Sequence, residues 1–281
     1  MMLEGRRFTI LTNGNYYDAE SNLAYMSVSQ YKQFQKCEAA AMAQIRGEWS
    51  FPKTTALLVG SYVDAWFEGT LDAFREENPE IFKKDGTLKA DFVQAEEIIN
   101  RVQADALFME YMSGKKQVIR TATLFGCKWK IKIDSRCRDK IVDLKVMRSM
   151  ERIMGKSFVE YWGYDLQMAV YAAVEEKALR RKTPLGTYLA VVTKQEPADI
   201  EIIEIPAWRR EELLNDVERN MPRILAVKSG AVEPERCGTC EYCRKTKILN
   251  APIDFELVGL STAERKAIFG ERSFFLDYNY D

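Results

Sequence analysis

The sequence predicts an α/β (α+β) fold, a central mixed β-sheet flanked by helices. Three observations carry that expectation. Residues 26–47, 55–67 and 89–112 have helical character. Residues 117–123, 126–134 and 140–146 place Val, Ile, Thr and Trp at alternating positions, as strands of an antiparallel meander do. After residue 158, helix and strand alternate again. Helices, three strands, helix, two strands, helix is the order of a sheet with helices packed on it.

The first helix, 26–47, opens with Ser27 or Ser29 at its N-cap and continues through good helix formers. The second, 55–67, repeats Leu57, Leu58, Tyr62 and Ala65 at helical spacing. The third, 89–112, is long, rich in Ala and Glu, and stops before Ser113-Gly114. Phe125-Gly126 and residues 135–139 separate the three strands as turns. A helix over 158–182 buries Leu166, Val170, Ala173, Val174 and Leu179. Strands at 188–193 and 200–205 and a helix at 208–230 complete the sheet and its cover. Repeats and low-complexity tracts are absent from the sequence.

Composition narrows the function. Hydrophobic residues make up 47% and charged residues 30% of the 281 positions, with 41 Lys+Arg against 42 Asp+Glu. That balance excludes intrinsic disorder and an evenly basic surface. Any nucleic-acid site must be a local cleft of Lys and Arg on a nearly neutral body. The chain has 0 histidines. A Ser-His-Asp triad, a Cys-His pair, a His general base and a His-ligated zinc are therefore excluded. Proton transfer and metal binding fall to Asp, Glu, Lys, Tyr, Cys and water. No stretch approaches the ~18 apolar residues of a membrane span. The charges in MMLEGRRFTI stand where a signal peptide carries its apolar segment. A cytoplasmic chain is expected, with its 6 cysteines reduced or metal-bound.

The chemistry concentrates in residues 131–148, IKIDSRCRDKIVDLKVMR. Asp134 ends one expected strand, and Asp143 and Lys145 share a face of the next. A hairpin brings the three together. Two carboxylates and an ammonium at one sheet end suit Mg²⁺, a hard ion that favours oxygen and keeps waters for substrate phosphates. Taken alone, Asp-x-Lys also describes a surface hairpin with one salt bridge. Upstream, Asp64 and Glu68 share a helix face; downstream, Gln167 and Tyr171 do the same, with Tyr164 one turn earlier. An amide and a phenol there suit a DNA phosphate or sugar. Lys128, Lys130, Lys132, Arg136, Arg138, Arg148 and Arg152 are candidates to line a DNA channel, as are Arg244, Lys245 and Lys247.

In order and spacing, GSYVD (60–64), KID (132–134), DLK (143–145) and QMAVY (167–171) resemble the PD-(D/E)XK nuclease superfamily. Within it the likeness is to the RecB-like branch, and most closely to phage and prophage exonucleases of the RecE (exodeoxyribonuclease VIII) type. It covers about residues 25–250. The resemblance implies one nuclease domain over 1–281: a helical segment 1–54, a restriction-endonuclease-like core 55–230, and a cysteine cluster and tail 231–281. Asp134 and Asp143 would be ligands of Mg²⁺ or Mn²⁺, with the Leu144 carbonyl and Asp64, which stands where many relatives carry histidine. Lys145 would be the catalytic lysine, and Gln167 and Tyr171 would touch DNA. The implied activity is 5′→3′ exonuclease action on linear duplex ends during phage-type homologous recombination. The implied setting is a host cytoplasm, away from membrane, as a ring-shaped oligomer beside a single-strand annealing protein. A metal-stapled DNA-binding or assembly module, and a single-strand-specific endonuclease, are the alternatives.

Cys237, Cys240 and Cys243 form C-x₂-C-x₂-C, three thiols able to face one ion or cluster. The spacing leaves Cys37, Cys127 and Cys137 as candidates for a fourth ligand. The resemblance selects Cys37, because several RecB-like nucleases hold a [4Fe–4S] cluster with one upstream and three C-terminal cysteines. Zn²⁺ on four cysteines is the alternative.

Overall fold

The computed structural model describes residues 10–50, 54–249 and 252–269. Helices α1 (Ala19–Ala24), α2 (Val28–Lys36), α3 (Glu38–Ile45), α4 (Thr55–Glu68), α5 (Leu71–Glu77), α6 (Ala90–Gln103) and α7 (Ala106–Tyr111) come first. Strands β1 (Lys115–Leu124), β2 (Cys127–Arg136) and β3 (Lys140–Met147) follow. Then come α8 (Phe158–Trp162), α9 (Tyr164–Leu179), β4 (Gly186–Thr193) and β5 (Ile200–Glu204). The chain continues with α10 (Ala207–Lys228), α11 (Glu241–Lys245) and α12 (Thr262–Phe269). Contacts group the described residues into two units, one drawn from 1–28 and 51–222, the other from 29–50 and 223–281.

The first unit contains the mixed α+β sheet, in the order β1-β2-β3-β4-β5. β1, β2 and β3 pair antiparallel, β3 and β4 parallel, and β4 and β5 antiparallel. Phe125 (φ 50°) and Gly126 (φ 82°) are both left-handed, the signature of a two-residue type I′ turn. That turn pairs Leu124 with Cys127 and so sets the register of the whole hairpin. The parallel step from β3 to β4 needs a crossover, which α8 and α9 supply.

Val142 and Leu144 of β3 and Ala190 and Val192 of β4 belong to one buried cluster with Val59, Tyr62 and Val63 of α4 and the apolar stripe of α6. Side chains alternate along a strand, so Asp143 and Lys145 project to the opposite face, where α9 packs. Two features pin this arrangement. Gly114 lies so close to β2 that a Cβ there would meet the Arg136 carbonyl carbon at 2.5 Å. Glu175 of α9, fully buried, binds Arg136 Nε at 2.9 Å and faces Arg120 Nε at 3.0 Å.

Three of the helices expected from the sequence are each broken into two. The 89–112 helix divides at Asp105, whose Oδ1 accepts from Phe108 N at 2.9 Å and starts α7 as an N-cap. The 158–182 helix divides at Gly163 (φ 62°), and Leu179, expected inside, is 44% exposed. The 26–47 helix divides at Cys37, whose extended backbone (φ −166°, ψ 108°) separates α2 from α3. By contrast α4 matches its expected span, capped by the Thr54 side chain and by left-handed Gly69.

In the second unit, Glu38 opens α3 and binds Arg223 through both carboxylate oxygens, at 2.9 and 2.8 Å. One buried cluster of this unit is Cys37, Ala39, Ala40 and Cys243, with Cys237, Cys240 and Tyr242 packed against it; Tyr31, Phe34, Met42, Ile45, Ile224 and Val227 are buried elsewhere in it. Among the described residues no helix is long and apolar enough to cross a membrane.

Candidate active site

Asp134 lies on β2, and Asp143, Leu144 and Lys145 lie on β3. These strands pair at Ser135–Val142 and Arg136–Ile141, a register that sets Asp134 opposite Asp143 just where the ladder ends. The Leu144 N–H there donates to the side chain, Asp134 Oδ2, at 2.9 Å. A carboxylate thus substitutes for strand backbone at the point where the sheet opens.

Asp143 is 2% exposed. Its Oδ1 accepts from Gln167 Nε2 at 2.6 Å. Its Oδ2 is ion-paired with Lys145 Nζ. Lys145 Nζ also sits 4.6 Å from the Tyr164 ring centroid, a cation–π contact at the first residue of α9. Burial works to strip the Lys145 proton, but the Asp143 and Asp134 carboxylates outweigh it and hold its pKa above the ordinary lysine value. Lys145 is therefore an ammonium in this environment.

The carboxylates disfavour one another's charge. Burial and then Asp143 push the Asp64 carboxyl up to about 7, with Glu68 adding to the rise against Lys145 and Lys132. Burial, Asp143 and Asp64 likewise raise Asp134, opposed by Lys145 and the Leu144 N–H. Asp134 and Asp143 side by side on neighbouring strands, with Asp64 close enough to act on their charge, suit a divalent cation, which would offset that repulsion. Asp64, Asp134 and Asp143 are the side chains that could hold it.

A consequence follows for metal removal. The raised Asp64 carboxyl binds its proton more tightly in the folded chain than in the unfolded one. The contribution of Asp64 to the stability of metal-free protein is then fully present below the ordinary Asp pKa, 3.8, and is lost as pH rises through about 7. Thermal melts are expected to show Mg²⁺ raising the melting temperature more at pH 8 than at pH 5. An equal shift at both values would contradict the cation assignment.

The structure brings Asp64, Asp134, Asp143, Lys145, Gln167 and Tyr171 into one electrostatic neighbourhood. Gln167 bonds Tyr171 as well as Asp143, and burial followed by Asp143 raises the Tyr171 phenol. Glu68 sits near Lys132 and Lys116. Two candidates for a DNA channel are otherwise employed. Lys130 is 1% exposed and donates to Tyr16 O, Ser21 Oγ and Asn22 Oδ1, tying the segment before α2 to β2. Arg136 is held by Glu175. Tyr16 and Gln117 escaped sequence reasoning. Tyr16 faces the Asp134 charge and the Lys132 ammonium, 5.6 Å from its ring. Gln117, left-handed at φ 51°, aims Nε2 at Asp134 Oδ1, 3.4 Å away, and buries an unpartnered Oε1. A signal for Gln117 existed: counting seven residues back from Leu124 and seven on from Cys127 pairs it with Asp134.

In the second unit, the sulfurs of Cys37, Cys237, Cys240 and Cys243 all lie within 4.8 Å of one another and could hold a metal. None of the six cysteines forms a disulfide. Burial works to raise the Cys237 thiol, but N–H donors from Cys240 and Thr239 outweigh it and bring it to about 6. Burial pushes Cys243 up to about 12. Cys127 and Cys137 stand outside this group.

The family described as PDDEXK-like domain of unknown function (DUF3799) matches residues 27–246. The chain belongs to this family. As a PDDEXK-like protein it is a nuclease, and the mixed sheet with its open β2–β3 end is that fold. A crystal structure of a protein from Eubacterium rectale, described as a "putative exonuclease", is 49% identical and superposes with a TM-score of 0.85. The match covers 90% of this PDDEXK-like chain and 99% of the other. No curated protein matches it.

Proposed function

We propose that this PDDEXK-like protein is a Mg²⁺-dependent exonuclease that hydrolyses phosphodiester bonds from the ends of linear duplex DNA. The observation that carries the reading is the meeting of Asp134, Asp143 and Lys145 where β2 and β3 part. The exonuclease description of the Eubacterium rectale relative supports the end-directed part of it.

A divalent ion, when bound, lowers the pKa of its water and neutralises charge on a phosphate. Asp64, Asp134 and Asp143, with the Leu144 carbonyl, would hold that ion. Gln167 keeps Asp143 in its rotamer through the bond to Oδ1. Lys145, an ammonium held beside Asp143, donates toward a non-bridging phosphate oxygen and offsets the charge that develops there. Tyr171, bonded to Gln167, closes the α9 side, and in this reading both would contact the DNA backbone. Lys132, beside Tyr16 and Tyr17, offers a further phosphate contact. The RecE-type resemblance extends the proposal to 5′→3′ polarity, a ring-shaped oligomer, a host cytoplasm, and phage-type recombination with a single-strand annealing protein.

The test compares linear duplex, covalently closed circular duplex and single-stranded circles in Mg²⁺, with the linear substrate labelled at either end. The reading expects mononucleotides from linear duplex, with early release of 5′ label, and intact circles. Cleavage of closed or single-stranded circles at a comparable rate would replace it with an endonuclease.

A further inference from the structure

We infer that the four cysteines of the second unit bind one tetrahedral Zn²⁺ ion rather than an iron–sulfur cluster. The spacing of the sulfurs decides between them. With Zn–S bonds of about 2.3 Å, a tetrahedral ion sets its four sulfurs about 3.8 Å apart. The Sγ separations here are 3.6 Å for Cys37–Cys243 and 3.9 Å for Cys237–Cys243, and all four lie within 4.8 Å. A [4Fe–4S] core carries an iron behind each thiolate and spreads the sulfurs well beyond that tetrahedral edge.

The surroundings suit thiolates. Cys240 N–H donates to Cys237 Sγ at 3.3 Å, Cys243 N–H to Cys240 Sγ at 3.4 Å, and Cys237 N–H to Cys37 Sγ at 3.5 Å. Each donor leans on a sulfur that would carry charge, the outer-shell support that metal ligands recruit. Arg236 binds Cys243 O at 3.1 Å and Arg244 binds Thr239 O at 3.1 Å, bringing two cations to a centre that would be dianionic. The local backbone is shaped to the same end. Cys37 interrupts the helical run to present its sulfur, and Cys240 caps α11 so that Cys243 follows on its first turn.

Around the sulfurs the buried cluster is Cys37, Ala39, Ala40 and Cys243, so apolar contacts alone hold this corner of the unit weakly. Metal binding would add cohesion there and join Cys37 to Cys237 across 200 residues of chain, with the thiol protons released to solvent.

The experiment uses full-length protein from cells supplied with both iron and zinc, purified without oxygen and without chelator. Elemental analysis is expected to give one zinc per chain, with no acid-labile sulfide and no brown chromophore. The Asp143→Ala protein should keep that zinc, which separates this centre from the acidic site. Cobalt exchanged for the zinc should show the visible bands of tetrahedral thiolate coordination. Cys240→Ser should lose at least tenfold in zinc affinity by chelator competition, while Cys127→Ser should not. If Cys240→Ser does not fold, the wild-type cobalt spectrum carries the test. About four irons and four sulfides per chain would overturn the inference, as would metal-free protein whose melting ignores both zinc and chelator. Nuclease failure with zinc present would overturn the proposed function alone.

Discussion

Asp143→Asn is expected to lower the Mg²⁺-dependent rate of duplex degradation by on the order of 10³-fold, with a far smaller change in DNA affinity. Asparagine keeps the shape of the side chain and its acceptor for Gln167 Nε2, so helix α9 retains its contact. What disappears is the charge that faces Lys145 and raises Asp64 and Asp134. A neutral group there weakens the hold on a divalent ion and leaves the Lys145 ammonium without its nearest counter-charge. Single-turnover rates under saturating protein isolate this effect from binding. A variant within tenfold of the parent would remove Asp143 from the chemistry.

Glu175→Ala is expected to act on stability. Its carboxylate is fully buried between Arg120 and Arg136, whose side chains are 30% and 19% exposed. Removing one member of a buried ionic group strands its partners, at a cost of several kcal/mol. Both arginines keep some access to water, which places the loss at the low end, about 3 kcal/mol. That corresponds to a melting point lower by about 6–12 °C for a domain of this size. Glu175→Gln, which keeps the volume and some hydrogen bonding, should lose less. Unchanged melting in Glu175→Ala would show that Arg120 and Arg136 find other partners. Activity should fall less than in Asp143→Asn, because Glu175 holds β1, β2 and α9 together without touching the acidic site.

Much of this arrangement is legible in the amino-acid order. Alternation along 126–134 and 140–146 marks the strands, and the spacing of Asp143 and Lys145 puts both on one face, where the ion pair forms. Gly69 and Thr54 end and begin α4 as their chemistry requires. What was not legible depends on tertiary contacts. Nothing in the run SVSQYKQFQKCEAAAMAQI stops a helix locally; the break at Cys37 comes from the sulfur's place among three distant cysteines and from Glu38 meeting Arg223. Lys130 reads as one of three alternating lysines, yet it is buried by acceptors from a segment more than a hundred residues away. Glu175 belongs to no motif, and its role emerges only when β1 and β2 bring Arg120 and Arg136 to it. Gln117 and Tyr16 carry no motif, and reach the acidic site through strand register and a packed N-terminal segment.

The central claim is that Asp64, Asp134 and Asp143 gather a divalent cation where β2 and β3 separate. Anomalous diffraction from crystals of the protein soaked in Mn²⁺ tests it most directly. The account predicts a strong manganese peak coordinated by oxygens of these three side chains and lost in Asp143→Asn. Crystals of catalytically active protein with no manganese within reach of these carboxylates would contradict it.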